Sequence, residues 1–283
     1  MAINYDHLMS LTSEGQEFSY GDRETMLYAL GIGFGRDPLN KKELPFVYEK
    51  DLQTVPTLAS VIAWGAGPMR ESGINYLMVV HGEQKLVVHK PLPIAATIVA
   101  DSRVIGAWDK GADKGAVIMS ETVITEKGGG KLCTMQSSTF ARGDGGFGGP
   151  KDGAPAPHPI PERAPDGSFE AETRADQALL YRLSGDRNPL HADPDIATQV
   201  GFPVPILHGL CTYGTCCRAI IQNVCDYDAS QITGFDVRFS SPVYPGETII
   251  VDVWKDGPIV SFRARLKERD VMVINNGKCT LKS

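Results

Sequence analysis

Residues 206–225 read ILHGLCTYGTCCRAIIQNVC. From about Gly209 to Cys225 the run is rich in Leu, Ile and Cys, which predicts a long apolar helix. Strand-like runs follow at 235–240, 248–255, 259–267 and 271–281, and Ser261-Phe262-Arg263-Ala264-Arg265-Leu266 alternates polar and apolar residues at the strand period. A long apolar helix followed by consecutive antiparallel strands specifies an α+β unit whose sheet wraps around the helix. Upstream, Thr173-Arg174-Ala175-Asp176 is a helix start, and Leu179, Leu180 and Leu183 supply an apolar face.

The first part of the chain repeats this plan in divergent form. Leu27-Tyr28-Ala29-Leu30-Gly31 answers Leu180-Tyr181-Arg182-Leu183-Ser184, and Val55-Pro56-Thr57-Leu58 answers Val204-Pro205-Ile206-Leu207. Pro91 precedes Thr97 by the same interval that separates Pro242 from Thr248. Three matches in one order argue for a duplicated unit. Strands are expected near 84–89, 96–108, 115–126 and 131–141. The stretch from Arg142 to Pro165 is dense in Gly and Pro, without apolar periodicity, and reads as a linker. The expected organisation is therefore a first unit over 1–142, a linker over 143–165 and a second unit over 166–283. Each unit is read as a long helix wrapped by an antiparallel sheet, and the two can pair edge to edge and so protect their strand edges.

Composition narrows the function. A chain of 283 residues with 42% hydrophobic and 22% charged residues is long enough for one large core or two smaller ones. A formal net charge of −6 argues against a nucleic-acid partner. No window approaches the roughly 18 apolar residues of a membrane-spanning helix, and the first residues form no secretory signal. Six cysteines show no CxxC pair and no zinc spacing, so no metal is expected and a reducing, cytoplasmic location is; a peroxisomal one would need a signal not visible in the sequence.

The densest polar cluster is Gly185-Asp186-Arg187-Asn188-Pro189-Leu190-His191-Ala192-Asp193-Pro194-Asp195. Gly185 marks a helix end, and Asp193-Pro194 reads as the cap and first residue of a short helix. Asp186 and His191 thus lie on a loop restricted by Pro189, able to aim a carboxylate and an imidazole at one water, with Asn188 placed to orient it. Asp, Asn and Pro also favour turns on their own account, so these residues alone leave turn chemistry open beside catalysis. A calcium loop would need a Gly and a Glu that are missing here. The repeat tips the balance: where the second unit has this cluster, the first has Gly31-Ile32-Gly33-Phe34-Gly35-Arg36-Asp37-Pro38. That asymmetry suggests one active unit and one adapted to make room for a substrate. Gly31-x-Gly33-x-Gly35 follows no strand and is not a dinucleotide fingerprint; no G-x-S-x-G elbow offers a serine nucleophile. If the helix begins at Gly209, its first N–H groups are unpartnered at the positive end of the dipole and can hold an oxyanion. Helix packing is the plainer reason for that glycine, and His208 reads as supporting rather than catalytic.

With Asp186-Arg187-Asn188-Pro189-Leu190-His191 and Ile206-Leu207-His208-Gly209-Leu210, the sequence resembles the MaoC-like, R-specific 2-enoyl-CoA hydratases (hydratase 2). His81-Gly82-Glu83-Gln84, Asp109-Lys110-Gly111, Gly145–Gly149 and Arg238-Phe239-Ser240-Ser241-Pro242 carry the resemblance over nearly the whole chain, toward the two-domain type found in the peroxisomal multifunctional enzyme type 2. It implies a double hot-dog fold and hydration of trans-2-enoyl-CoA to (3R)-3-hydroxyacyl-CoA in β-oxidation-type metabolism. By the same resemblance Asp186 and His191 activate water, Asn188 positions it, and the Gly209 N–H holds the thioester oxygen. His81, Gly82, Lys110, Arg187, Pro189, Leu190 and Phe239 would contact acyl-CoA, no cofactor would be needed, and the protein would be a homodimer. Two rivals remain, a hot-dog thioesterase and a non-catalytic acyl-CoA binding module. The first is separated by release of free thiol; the complete Asp/Asn/His/Gly set counts against the second.

Overall fold

The computed structural model describes residues 3–282, and the side chains of all of these except Leu77. The first unit runs α1 (Tyr5–Ser10), β1 (Thr12–Tyr20), α2 (Asp22–Gly31), α3 (Leu44–Val47), α4 (Ala59–Ile62), β2 (Val79–Val88), β3 (Ala96–Asp109), β4 (Ala116–Glu126) and β5 (Lys131–Ala141). The second runs β6 (Gly167–Glu172), α5 (Gln177–Tyr181), α6 (Pro194–Gln199), α7 (Gly209–Asn223), β7 (Ile232–Phe239), β8 (Thr248–Asp256), β9 (Ile259–Leu266) and β10 (Met272–Leu281). Between β5 and β6, residues 142–166 carry neither helix nor strand. Part of this segment is pinned by Asp109, whose carboxylate accepts the N–H groups of Gly111, Gly146 and Gly148 at 2.8 Å each.

All ten strands form one antiparallel sheet in the order β1-β3-β4-β5-β2-β7-β10-β9-β8-β6. Read from either edge the order is the same: each unit contributes its strands as first, third, fourth, fifth, second. The duplication inferred from three short matches is thus a strand-by-strand correspondence. The units join edge to edge through β2 and β7, with Gln84 opposite Val237 and Val87 opposite Gly234. That pairing removes two edges which would otherwise present unpaired backbone groups. The matched Leu-Tyr pairs meet across the pseudo-symmetry, Tyr28 and Tyr181 lying 6.0 Å apart and both fully buried.

Two features depart from the reading of the sequence. A strand that the sequence did not reveal, β1 or β6, precedes α2 in the first unit and α5 in the second. Both are outer strands of the sheet, and β1 is mostly exposed, so it lacks the alternation that marks a half-buried strand. The expected long helix exists only in the second unit; α4, in the corresponding place, is four residues long.

Helix α7 is the core of the second unit. Leu210 through Ile221 are all buried, as befits a helix that is apolar around most of its circumference. From α7 the Tyr213 ring meets Phe235 edge to face at 5.2 Å, Phe235 stacks on Phe262 at 4.9 Å, and the Tyr213 hydroxyl donates to the Phe235 carbonyl at 2.9 Å. On its other side the chain of the first unit crosses so closely that a methyl on Gly214 would lie 2.4 Å from Ile32 Cγ2.

Candidate active site

The loop between α5 and α6 is shaped by its own side chains. Asp186 Oδ1 accepts the Asn188 N–H at 3.0 Å, and Asn188 Oδ1 accepts the Leu190 N–H at 3.0 Å, capping the short 3-10 turn Pro189–His191. Gly185 stands at φ 145°, and a Cβ there would sit 2.9 Å from Trp64 Cγ, so backbone conformation and space both require glycine. The Asp193 carboxylate caps α6 by accepting the Asp195 N–H, as expected.

This turn brings Asp186 and His191 together: His191 Nε2 lies 3.9 Å from Asp186 Oδ2. The Ile206 carbonyl is 2.8 Å from His191 Nδ1. A carbonyl only accepts, so Nδ1 carries the proton and Nε2 presents its lone pair toward the carboxylate. Burial holds the His191 pKa below its ordinary value, the Arg182 charge adding to this, against the opposing Ile206 contact and the Asp186 charge. The imidazole is therefore neutral at pH 7 and free to accept a proton. A water at ordinary hydrogen-bond distance from both atoms, roughly 2.8 Å, fits between them at an angle of about 90°.

His208 completes the cluster in a way the sequence did not disclose. Its ring stacks on that of His191 at 3.7 Å, and its Nε2 donates to the Asp186 backbone carbonyl at 3.0 Å. Burial pushes its pKa down to about 3, so it is a neutral strut between the loop and α7. Nδ1 is left buried without a partner among the described residues. Asp186, His191 and His208 present atoms within 4.8 Å of one another, a spacing a cation could use.

Because His208 is spent on the loop, it does not cap α7. Gly209 is exposed, and its N–H has no partner among the described residues. The dipole of a 15-residue helix ends on that donor. The Phe239 ring closes one side, 3.3 Å from where a Gly209 Cβ would be, and packs at 4.7 Å on His81. Gly82 lies in a bulge of β2, where a Cβ would meet Ser138 Oγ at 2.6 Å. Asp186, His191, Gly209, Phe239 and His81 therefore form one connected group. Asn188 is exposed and spends its oxygen on the cap, with Nδ2 free among the described residues. Arg187 and Pro189 are exposed and Leu190 half-buried on the same turn. Lys110 is not brought to this group by any contact: its ammonium donates to the Lys151 carbonyl at 2.8 Å, beyond the end of β3.

The geometry has close relatives. Residues 18–143 match the family model described as MFE-2 hydratase 2 N-terminal domain, and residues 157–277 that of the MaoC like domain. The chain is 42% identical to "Enoyl-CoA hydratase ChsH3" of Mycobacterium tuberculosis, over 98% of each chain. The chain belongs to the MaoC-like hydratase 2 family. A second relative of this MaoC-like chain, "Enoyl-CoA hydratase 2, peroxisomal" of Arabidopsis thaliana, is 38% identical over 96% of this chain and 94% of its own length. The crystal structure of a MaoC-like dehydratase from Phytophthora capsici superposes with a TM-score of 0.89 at 33% identity, covering 99% of both chains. The architecture of this MaoC-like protein is the double hot-dog.

Proposed function

We propose that this chain adds water across the double bond of a trans-2-enoyl-CoA, giving the (3R)-3-hydroxyacyl-CoA, in fatty-acid metabolism. The observation that carries the chemistry is the pair His191 Nε2 and Asp186 Oδ2, 3.9 Å apart beside an unpartnered helix N-terminus. A water held between them gives one proton to the pair as its oxygen bonds to C3. The electrons of the double bond move toward the thioester carbonyl, and the oxygen gains charge facing the Gly209 N–H. The pair then returns a proton to C2, so the atoms of one water are added and nothing is oxidised. Donors already in place need not reorganise as charge develops, which is why a fixed helix N-terminus suits this step. His81, Gly82 and Phe239 would flank the acyl thioester. Arg187, Pro189 and Leu190, on the exposed turn, would meet the rest of the CoA ester, with Asn188 orienting the water and Lys110 serving as a more distant cation.

The catalytic unit in this reading is 166–283, and 1–142 accommodates the acyl chain. Six free, buried cysteines support a reducing compartment, and among the described residues no helix is long and apolar enough to cross a membrane. We take the working form to be a homodimer; a sedimentation mass of one chain would remove that part. The activity is tested by following loss of the enoyl thioester absorbance alongside free thiol. Absorbance loss without thiol, with a (3R) product, is expected. Stoichiometric thiol release would make the protein a thioesterase instead.

A further inference from the structure

The second unit covers its sheet with α7, and the first leaves the matching face open. Under α4 and the turn that follows it lies a pocket of about 300 Å³. Its walls include Leu210, next to Gly209, and Trp64, which touches Gly185 beside Asp186; it thus abuts the active-site cluster on two sides.

Its floor is polar where a hot-dog interior is ordinarily apolar. Gln84, Ser137 and Ser120 stand in one row across β2, β5 and β4, and Thr139 stands beside His81 in the next. The corresponding face of the sheet in the second unit carries Val251, Phe262 and Ala264. Some of these groups already serve one another. The Glu83 carbonyl lies 3.1 Å from His81 Nε2, so that nitrogen bears the proton and shares it with Ser137 Oγ at 2.9 Å; Ser137 in turn donates to Gln84 Oε1 at 2.9 Å. Thr122 is bonded to Ser102 at 2.7 Å. The hydroxyls of Ser120 and Thr139 have no protein partner among the described residues. No Lys, Arg, Asp or Glu lines the pocket, and His81 is held neutral by burial, its pKa down at about 4.

We propose that this pocket receives the acyl tail of the substrate and selects tails bearing a neutral oxygen, a hydroxyl or ketone, which the Ser120 and Thr139 hydroxyls bind. The proposal rests on the hydration reading above. A plain alkyl tail would displace water from both hydroxyls and return nothing, whereas an oxygen on the tail restores the bond. Ser120 and Thr139 are diagonal neighbours on adjacent strands, on the order of 7 Å apart, so a tail lying between them reaches either with one oxygen. A carboxylate at that point would meet no cation.

The test compares kcat/KM for trans-2-enoyl-CoA esters of equal tail length. One is unsubstituted; the others carry a hydroxyl or ketone at successive carbons, and crotonyl-CoA, too short to use the pocket, is measured beside them. At one or more positions the oxygenated tail should be favoured by about tenfold or more, the scale of one well-made hydrogen bond against a stranded hydroxyl. In Ser120→Ala, Thr139→Val and the double variant that ratio should fall toward one. Both esters are measured on one preparation, so any loss of folded protein cancels. An alkyl tail that equals or outperforms every oxygenated one, or a ratio untouched by the variants, overturns the proposal. If crotonyl-CoA is hydrated while tails are not distinguished, the tail assignment alone fails. If wild-type protein does not hydrate crotonyl-CoA, the hydration reading fails and this proposal with it.

Discussion

Strand for strand the two units agree, and above the strands they do not. In the second, a turn carries Asp186 and His191 toward the N-terminus of a 15-residue helix. In the first, the corresponding turn carries Phe34, fully buried and stacked at 4.2 Å on Phe46, and the helix shrinks to four residues. The glycine-rich segment 31–38 is itself filled: Arg218 reaches in from α7 to within 3.2 Å of where a Gly33 Cβ would lie. The open space is elsewhere, where the long helix is missing. A duplicated sheet thus supplies the frame twice, and function diverges in what is laid upon it. One covering layer sets a helix N-terminus beside the Asp186 and His191 pair, and the other is short enough to leave a pocket of about 300 Å³.

The contrast breaks most visibly at the acid–base pair. Asp186→Asn and His191→Gln should each lower kcat by about 10² to 10⁴, the range of a positioned proton-transfer group, with thermal unfolding little changed. Rates near wild type in both variants would mean that the second unit's turn is only a turn.

The helix end gives the next largest effect and can be isolated. Gly209 is the first residue of α7, and His208 before it has φ −59° and ψ 137°, the conformation favoured ahead of a proline. Gly209→Pro therefore removes the N–H with the helix intact, whereas Gly209→Ala adds the same Cβ beside Phe239 and keeps the donor. A kcat for the Pro variant about 10²-fold below that of the Ala variant is expected. Equal losses would assign the glycine to packing against Phe239 alone.

How much of this could be read from residues divides along the same line. Strands β3, β4, β5, β8, β9 and β10 were legible to within a residue or so, β9 because its faces alternate and β8 because it is a short apolar run between turns. Edge strand β1 was not, since an exposed strand needs no alternation. The proximity of Asp186 and His191 was legible because a six-residue turn pinned by Asn188 and Pro189 can do little else. His208 was read as a supporting residue, but its partners were not legible, because they are the Asp186 carbonyl and the His191 ring, reached only when the loop folds back on α7. The polar pocket left a trace that went unread: in β4 and β5, Ser120, Thr122, Ser137 and Thr139 occupy alternate positions beside Ile118, Ile124 and Cys133. Hydroxyls on what should be the buried face are a sign that no helix covers it.

Stability should not follow catalysis across the two units. Phe34→Ala deletes a fully buried ring from the first unit and should cost roughly 3–5 kcal/mol by denaturant unfolding. The kcat per folded molecule should stay near wild type, because neither the pair nor the Gly209 donor touches that ring. A fall in kcat comparable to that of the His191 variant would show that the filled turn of the first unit shapes the active one.

The smallest effect is in the pH dependence of folding, and its sign follows from burial. His81, His191 and His208 all have pKa values lowered in the folded chain, with burial the largest cause in each. In the unfolded chain each takes up a proton near pH 6.5. Between that point and the folded values, about 4 for His81 and about 3 for His208, the unfolded chain binds more protons. Stability is then fully present above about pH 6.5 and falls as the pH falls, by up to about 1.4 kcal/mol per pH unit for each such histidine. His81 belongs to the first unit, and the stacked pair His191 and His208 to the second. Replacing His208 by Gln, which can still donate to the Asp186 carbonyl, removes one titrating ring and leaves its neighbour in place. The slope of Tm against pH between about 7 and 5 should flatten by one histidine's share in that variant, and by a similar share in His81→Gln. If the His208 variant keeps the full slope while the His81 variant flattens, the imidazole on α7 is not desolvated as its stacking requires, and the neutral strut beneath the acid–base pair would have to be given up.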